Sequence, residues 1–241
     1  MKKHSKGFTL VELLVVIGIL GLLMGVLLPK IAGAMGDAKQ LEVKTKGLAL
    51  YKQIMQAGIK SYEKDAWARW PRSAKNKSDD DEDISGKTFG SSTEYFVELL
   101  DIKKYGTKNW RPLVRDITTA ELCGSGVPTP KPGQLEPRNV MWCIAQGVSD
   151  NIPDVVPILV TRNVDFTSLN GYLNQFDGQA DTKVKLGGTY DQPFSNKGFV
   201  LVRKSGAADQ IKQKYARLNL IFNNQGFDNS SREKKLEFLD L

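Results

Sequence analysis

With 241 residues, 41% of them hydrophobic and 25% charged, the chain has room for a membrane segment and one domain of ordinary size. The formal charge of +7 is uneven: Lys2, Lys3 and Lys6 supply three, Glu12 and Lys30 cancel, and residues 37–241 carry only +4, too mild an excess to demand a polyanionic partner. The single histidine is His4, and no GxSxG elbow, P-loop or HExxH pair occurs. The chemistries built on those groups are therefore excluded from the bulk of the chain, and although acidic residues are plentiful, no carboxylate pair stands out.

The first element is an apolar run, Gly7–Leu28 (GFTLVELLVVIGILGLLMGVLL), with one charge, Glu12. From Phe8 to Leu28 it is long enough, at about 1.5 Å per residue, to cross roughly 30 Å of hydrocarbon. A carboxylate inside such a helix costs about 2.5–3.5 kcal/mol even on lenient insertion scales. A mere anchor has no reason to carry that cost, so Glu12 predicts a partner and a task. The lysines ahead of the run mark the cytoplasmic side, which puts everything after Pro29 outside the cytoplasm. Gly18, Gly21 and Gly25 share one helical face. They suit close helix–helix packing in lipid, although glycine is also common in membrane helices generally. Beyond Pro29 the residues Leu41, Leu48, Tyr51, Met55, Ile59, Tyr62 and Ala66 recur as an amphipathic stripe. The simplest reading is one helix from about residue 8 to about residue 67, loosened at Pro29 and Gly33/Gly36 and ended by Pro71.

Residues 72–90 are almost devoid of apolar side chains and read as a solvated loop. Their acidic run Asp79–Asp83 lacks the glycine of an EF-hand, Ile84 standing where the turn needs it. Ser91-x-x-Glu94 is a capping box that opens a helix over 92–105. Residues 124–137 are rich in glycine and proline. Strands are predicted at 139–145, 155–161 and 198–204, the last turning through Ser205-Gly206 into a partner at 210–213. Residues 215–222 are ambiguous between helix and strand, and 232–239 suggests a short closing helix. Cys123 and Cys143 belong to no CxxC pair. In an oxidising compartment they are candidates for a disulfide worth about 3 kcal/mol, the alternative being two independent small apolar residues. Lys183, Lys185, Lys197, Arg203, Lys204, Lys212, Lys214 and Arg217 enrich the C-terminal part in positive charge. Without interleaved aromatics they read as a solvated face, which argues against nucleic-acid binding.

The segment GFTLVELLVVIGILGLL behind its short basic leader resembles the processing signal of the type IV pilin and type II secretion pseudopilin superfamily. The resemblance covers about thirty residues and says little about residues 70–241. It implies cleavage between Gly7 and Phe8 by a prepilin peptidase, N-methylation of Phe8, and assembly through the N-terminal helix. Glu12 then matches the family's acidic position and Pro29 its helix-softening proline. The implied fold is α+β and pilin-like, a long N-terminal helix packed on a small antiparallel-sheet domain. The implied division is a leader at 1–7, a membrane and assembly helix at 8–29, an amphipathic continuation at 30–68 and a periplasmic domain at 69–241. The implied partners are the peptidase, other pilin or pseudopilin subunits and an inner-membrane assembly platform; the protein is not an enzyme. In a filament, the amine of Phe8 of an incoming subunit would pair with Glu12 of its neighbour, against the alternatives of pairing within one chain or a protonated carboxyl.

The chain also differs from major members of that superfamily. Major pilins usually carry a disulfide near the C-terminus, whereas these cysteines are mid-domain. Tyr190-Asp191-Gln192-Pro193-Phe194 is a degenerate echo of the calcium loop of the major type II pseudopilin, so calcium stays unassigned and no metal ligand is proposed. Type II secretion is the favoured setting, with a DNA-uptake or adhesion minor pilin as the alternative. Two rivals lie outside the family. An ordinary signal peptide cut after Ala32-Gly33-Ala34 would leave Met35 first, and an anchored enzyme or receptor would keep Met1.

Overall fold

The computed structural model describes residues 9–61, 89–99, 122–124, 126–131, 134–149, 151–188, 190, 194, 197–222, 226–232 and 235–241. The chain divides into two compact units, residues up to Ala38 and Lys39–Leu241. Helix α1, Leu10–Ser61, runs unbroken through Pro29. It is followed by α2 (Ser92–Leu99), β1 (Trp142–Gln146), β2 (Pro157–Thr161), α3 (Phe166–Leu173), β3 (Gly198–Arg203), β4 (Ala208–Lys212), α4 (Leu218–Phe222) and β5 (Glu237–Phe238). The fold is α+β and pilin-like.

In the second unit the five strands form one sheet in the order β4-β3-β2-β1-β5, every pair antiparallel. Strands β1 and β2 are buried along their whole length. That explains why MWCIA, PILV and FVLV read as continuous apolar runs without alternation. The pleat divides their side chains between two cores. Trp142, Ile144, Leu159, Val200 and Val202 meet Val43, Leu50 and Ile54 of α1 and Phe96 and Leu99 of α2. On the other face Cys143, Ala145, Val160, Phe199 and Leu201 meet Phe166, Leu169 and Leu173 of α3 and Phe222 of α4. A sheet covered on both sides by helices is a stable three-layer solution to burying strands of this composition.

The expected strands and the hairpin through Ser205-Gly206 are present, and Gly206, at φ +85°, makes the turn. Ser91 caps α2 as anticipated, its Oγ accepting from the Glu94 N–H at 3.2 Å. The Glu94 carboxylate reaches one residue further back, accepting from Gly90 N–H at 2.8 Å. Residues 100–105 of the anticipated helix lie outside the described residues, as do Tyr62, Ala66, Pro71 and the acidic run Asp79–Asp83. The ambiguous stretch resolves into a 3-10 turn at Gln213–Tyr215 followed by α4.

Three expectations need correcting. The closing helix at 232–239 is replaced by β5, because Phe238 enters the second core against Phe166, with ring centroids 5.8 Å apart. Asn170 holds that strand from outside the sheet. Its amide donates to the Phe238 carbonyl and accepts from the Phe238 N–H, both at 2.8 Å. The stripe on α1 is also rotated from the anticipated one. Leu48 and Tyr51 of that stripe pack half-buried against the first core, but Leu41 is 58% exposed, and the fully buried face carries Gln40, Val43, Gly47, Leu50, Gln53 and Ile54. The reason is steric: the indole of Trp142 lies so near the helix that a methyl on Gly47 would sit 2.5 Å from it. Tyr51 flanks this contact and donates its hydroxyl to the Lys204 carbonyl at 2.6 Å.

The third correction concerns the cysteines, which are free and buried. They belong to opposite cores, Cys123 with Trp142 and Cys143 on the other side of β1, so the sheet separates the two thiols. Burial raises both, Cys123 to about 11 and Cys143 well above the ordinary thiol range. The native chain is therefore expected to resist alkylation near pH 8. Denaturation without reductant should expose two reactive thiols, as an intact-mass shift of two adducts; a single disulfide-linked species with none would contradict this placement. Gly47→Val should cost about 2 kcal/mol through overpacking and lower the thermal midpoint by roughly 4–8 °C. An unshifted midpoint in a melting scan would show that the indole can move away.

Candidate functional site

The N-terminal unit is a helix whose apolar side chains face outward. Leu10 is 85% exposed, and Val11, Leu13, Leu14 and the large apolar residues on to Leu28 are all exposed. Its most apolar 18-residue window has a mean hydropathy of 2.8 and none of it is buried. Such a surface is unstable in water and matches the hydrocarbon of a membrane, which this helix is long and apolar enough to cross.

Glu12 sits in the first turn. Thr9 and Glu12 form a reciprocal cap. The Thr9 backbone N–H and hydroxyl both donate to Glu12 Oε2, at 2.9 and 2.7 Å, and the Glu12 N–H donates to Thr9 Oγ1 at 3.3 Å. Two orphan backbone donors of the helix start are satisfied by this exchange, and the carboxylate lies at the positive end of the helix dipole. The charge is thus placed where a helix best tolerates an anion. The hydrogen bonds it makes among the described residues all fall on Oε2, leaving the lone pairs of Oε1 to receive a cation. The sequence carries the signal for this box in Thr9-x-x-Glu12 ahead of an apolar run, the same pattern as Ser91-x-x-Glu94. The expectation for Glu12 rested on charge alone and overlooked Thr9.

Gly7 and Phe8 lie outside the described residues. At Gly18, Gly21 and Gly25 an added Cβ would meet nothing within 4 Å, so no part of the described chain uses the bare backbone they expose. Pro29 supplies no N–H to the carbonyl four residues back, that of Gly25, yet the helix continues past it. Among the described residues no group of three His, Cys, Asp or Glu side chains is arranged to hold a metal. Of the degenerate calcium-loop echo only Tyr190 and Phe194 are described. Tyr190 lies under the Arg162 guanidinium, 5.8 Å from ring centroid to carbon, and Phe194 is in the first core.

Residues 2–28 match the family model of the prokaryotic N-terminal methylation motif. The chain carries the type IV pilin and pseudopilin signal. Comparison with curated proteins and with solved structures finds no match. The pilin-type signal belongs to structural subunits and not to an enzyme class; the capped Glu12 lies within the matched segment.

Removing the Thr9 hydroxyl should loosen the first turn. Thr9→Val is expected to weaken the cap by about 0.5–2 kcal/mol, seen as faster amide hydrogen exchange at residues 10–13 in a micelle or bilayer. Thr9→Ser should retain protection. Equal exchange in all three proteins would mean that the box does not hold the helix start.

Proposed function

We propose that the protein is a structural subunit of the pseudopilin kind, processed by a prepilin peptidase between Gly7 and Phe8, methylated on Phe8, and assembled through α1 into a pseudopilus that serves type II protein secretion. The observation that carries the reading is a carboxylate held ready at the start of an outward-facing apolar helix, inside a matched N-terminal methylation motif. Before assembly the subunit spans the bacterial inner membrane once, with residues 1–7 in the cytoplasm and the globular unit in the periplasm. This orientation follows the lysines ahead of the span. Its partners are the peptidase, further pilin-type subunits and the inner-membrane assembly platform.

The physics of assembly follows from what cleavage creates. A free amine on Phe8 is a cation at the edge of a low-dielectric medium, and Glu12 is an anion in the same position. Each is costly alone, while a paired amine and carboxylate offset one another's desolvation. A new subunit whose amine reaches the Glu12 carboxylate of its neighbour fixes the axial stagger of the filament. Gly18, Gly21 and Gly25 permit close approach of the neighbouring helix, and Pro29 lets α1 adjust along its length.

N-terminal mass analysis of the protein from its native membrane is expected to find methylated Phe8, with Gly7→Glu blocking that cut. A polypeptide beginning at Met1 or Met35 would overturn the reading. Glu12→Val should still insert and be cut at Gly7, yet lower filament yield roughly tenfold or more, equivalent to about 1.4 kcal/mol per interface. Unchanged yield in a shearing assay would remove the pairing argument. Deleting the gene should abolish export of a type II substrate, and unimpaired export would place the subunit in another filament system.

A further inference from the structure

The sequence of the second unit carries two blocks of opposite charge. Asp79–Asp83 is five carboxylates in consecutive positions, more than Lys75 and Lys77 ahead of it can match. Positions 181–185 and 212–217 hold five basic residues and one acidic residue, and the fold lays these two segments side by side. Val184 N–H donates to the Ala216 carbonyl at 2.8 Å and Leu218 N–H to the Thr182 carbonyl at 2.9 Å, and Lys183 and Arg217 face each other as an antiparallel bridge pair. Residues so opposed project to the same side, and Lys185, two positions on, returns to it roughly 7 Å away. Val184, Ala216 and Leu218 take the buried side. Like charges placed directly opposite are destabilising, and the one carboxylate of the two segments, Asp181, is taken by Arg217 at 2.5 Å. Asp165 feels the charge of Lys185 but is already bonded to Ser168. Lys183, Lys185, Lys212 and Lys214 are exposed and form no ion pair among the described residues.

We propose that the acidic run Asp79–Asp83 of one copy of the chain docks on this basic surface of the next copy. Each block repels itself when alone, and bringing them together relieves both. The connectivity favours a second copy over the same chain. Asp83 stands six residues before Phe89, a tether of at most about 20 Å. Phe89 belongs to the first core, and Ser92 just beyond it bonds to Ile144 of β1 and to Leu239. The basic segments line the opposite core and start at the end of β4. Three strand spacings, about 14 Å, separate β1 from β4. A sheet covered on both faces is also more than about 20 Å through. The path around it exceeds the tether, so the whole run does not reach the surface of its own chain. A contact between unlike patches on successive copies is heterologous and repeats into an open row instead of closing as a dimer. The inference rests on the assembly reading in that one respect, that copies of the chain stand in a row. The overall excess of +4 in residues 37–241 concealed both blocks, because it sums them.

The test uses two forms of the full-length chain, Asp81→Cys and Lys183→Cys, carrying different tags and reconstituted together in a zwitterionic bilayer under mild oxidation. A mixed disulfide dimer is expected, with the buried Cys123 and Cys143 silent. Its yield should fall several-fold between about 50 mM and about 1 M salt, where the screening length shrinks to about 3 Å. Adding Lys185→Glu and Lys212→Glu to the Lys183→Cys chain should lower the yield about fivefold or more. Asp79→Lys with Asp83→Lys in the other chain should then restore it. Lys131→Cys, at an exposed lysine elsewhere, should give no mixed dimer with Asp81→Cys. Melting curves verify that each variant is folded, as expected for exposed positions. No mixed dimer at the lowest salt would overturn the proposal, as would a dimer indifferent to salt or not restored by the second reversal. So would an intrachain disulfide in a chain carrying both cysteine substitutions, which would assign the run to its own surface. The readout needs no filament, so failure here leaves the Glu12 pairing standing, and failure of the Glu12 test leaves this contact standing.

Discussion

The contact on which the globular unit turns is the fit of Trp142 against the bare backbone of Gly47. Strands β1, β2 and β3 bury both faces, so the sheet is stable only if each face is covered. One cover is α2 with the second part of α1, and the approach is close because the helix presents hydrogen where the strand presents its largest side chain. Cluster membership follows from this contact by pleat geometry. Once Trp142 faces α1, Ile144 does too, and Cys143 and Ala145 face away.

The same helix presents a different surface at its start. Its apolar residues there are exposed, and the one charge among them is taken up by the turn that contains it. Thr9 provides two donors to one carboxylate oxygen of Glu12 without using all of its accepting capacity. Without that exchange the backbone donors at the helix start would be left unsatisfied. The capped carboxylate keeps Oε1 available to receive a cation.

Two devices in the second unit show how side chains stand in for missing ladder bonds at its edge. Asn170 brackets Phe238, and Ser92 links β1 to the C-terminal strand, its hydroxyl donating to the Leu239 carbonyl at 2.7 Å and accepting from the Ile144 N–H at 3.0 Å. Together they anchor a two-residue strand too short to hold by its own pairing. A free energy of this kind is invisible to local propensity, because the partners are far apart in the chain.

The N-terminal signal, the membrane-length helix, the three central strands and their hairpin were legible in the amino-acid sequence. Each rests on local information: an unbroken apolar run, β-branched stretches between turn residues, a Ser-Gly turn, and a charge where none belongs. The Thr9–Glu12 box was legible as well and was simply overlooked. What only the tertiary structure decided is orientation. It set which face of α1 is buried, which side of the sheet each cysteine occupies, whether the tail pairs or coils, and which lysines stand beside Arg217. Periodicity fixes the spacing of side chains within one element. Their partners are chosen by packing between elements, and here a glycine opposite a tryptophan settled the matter.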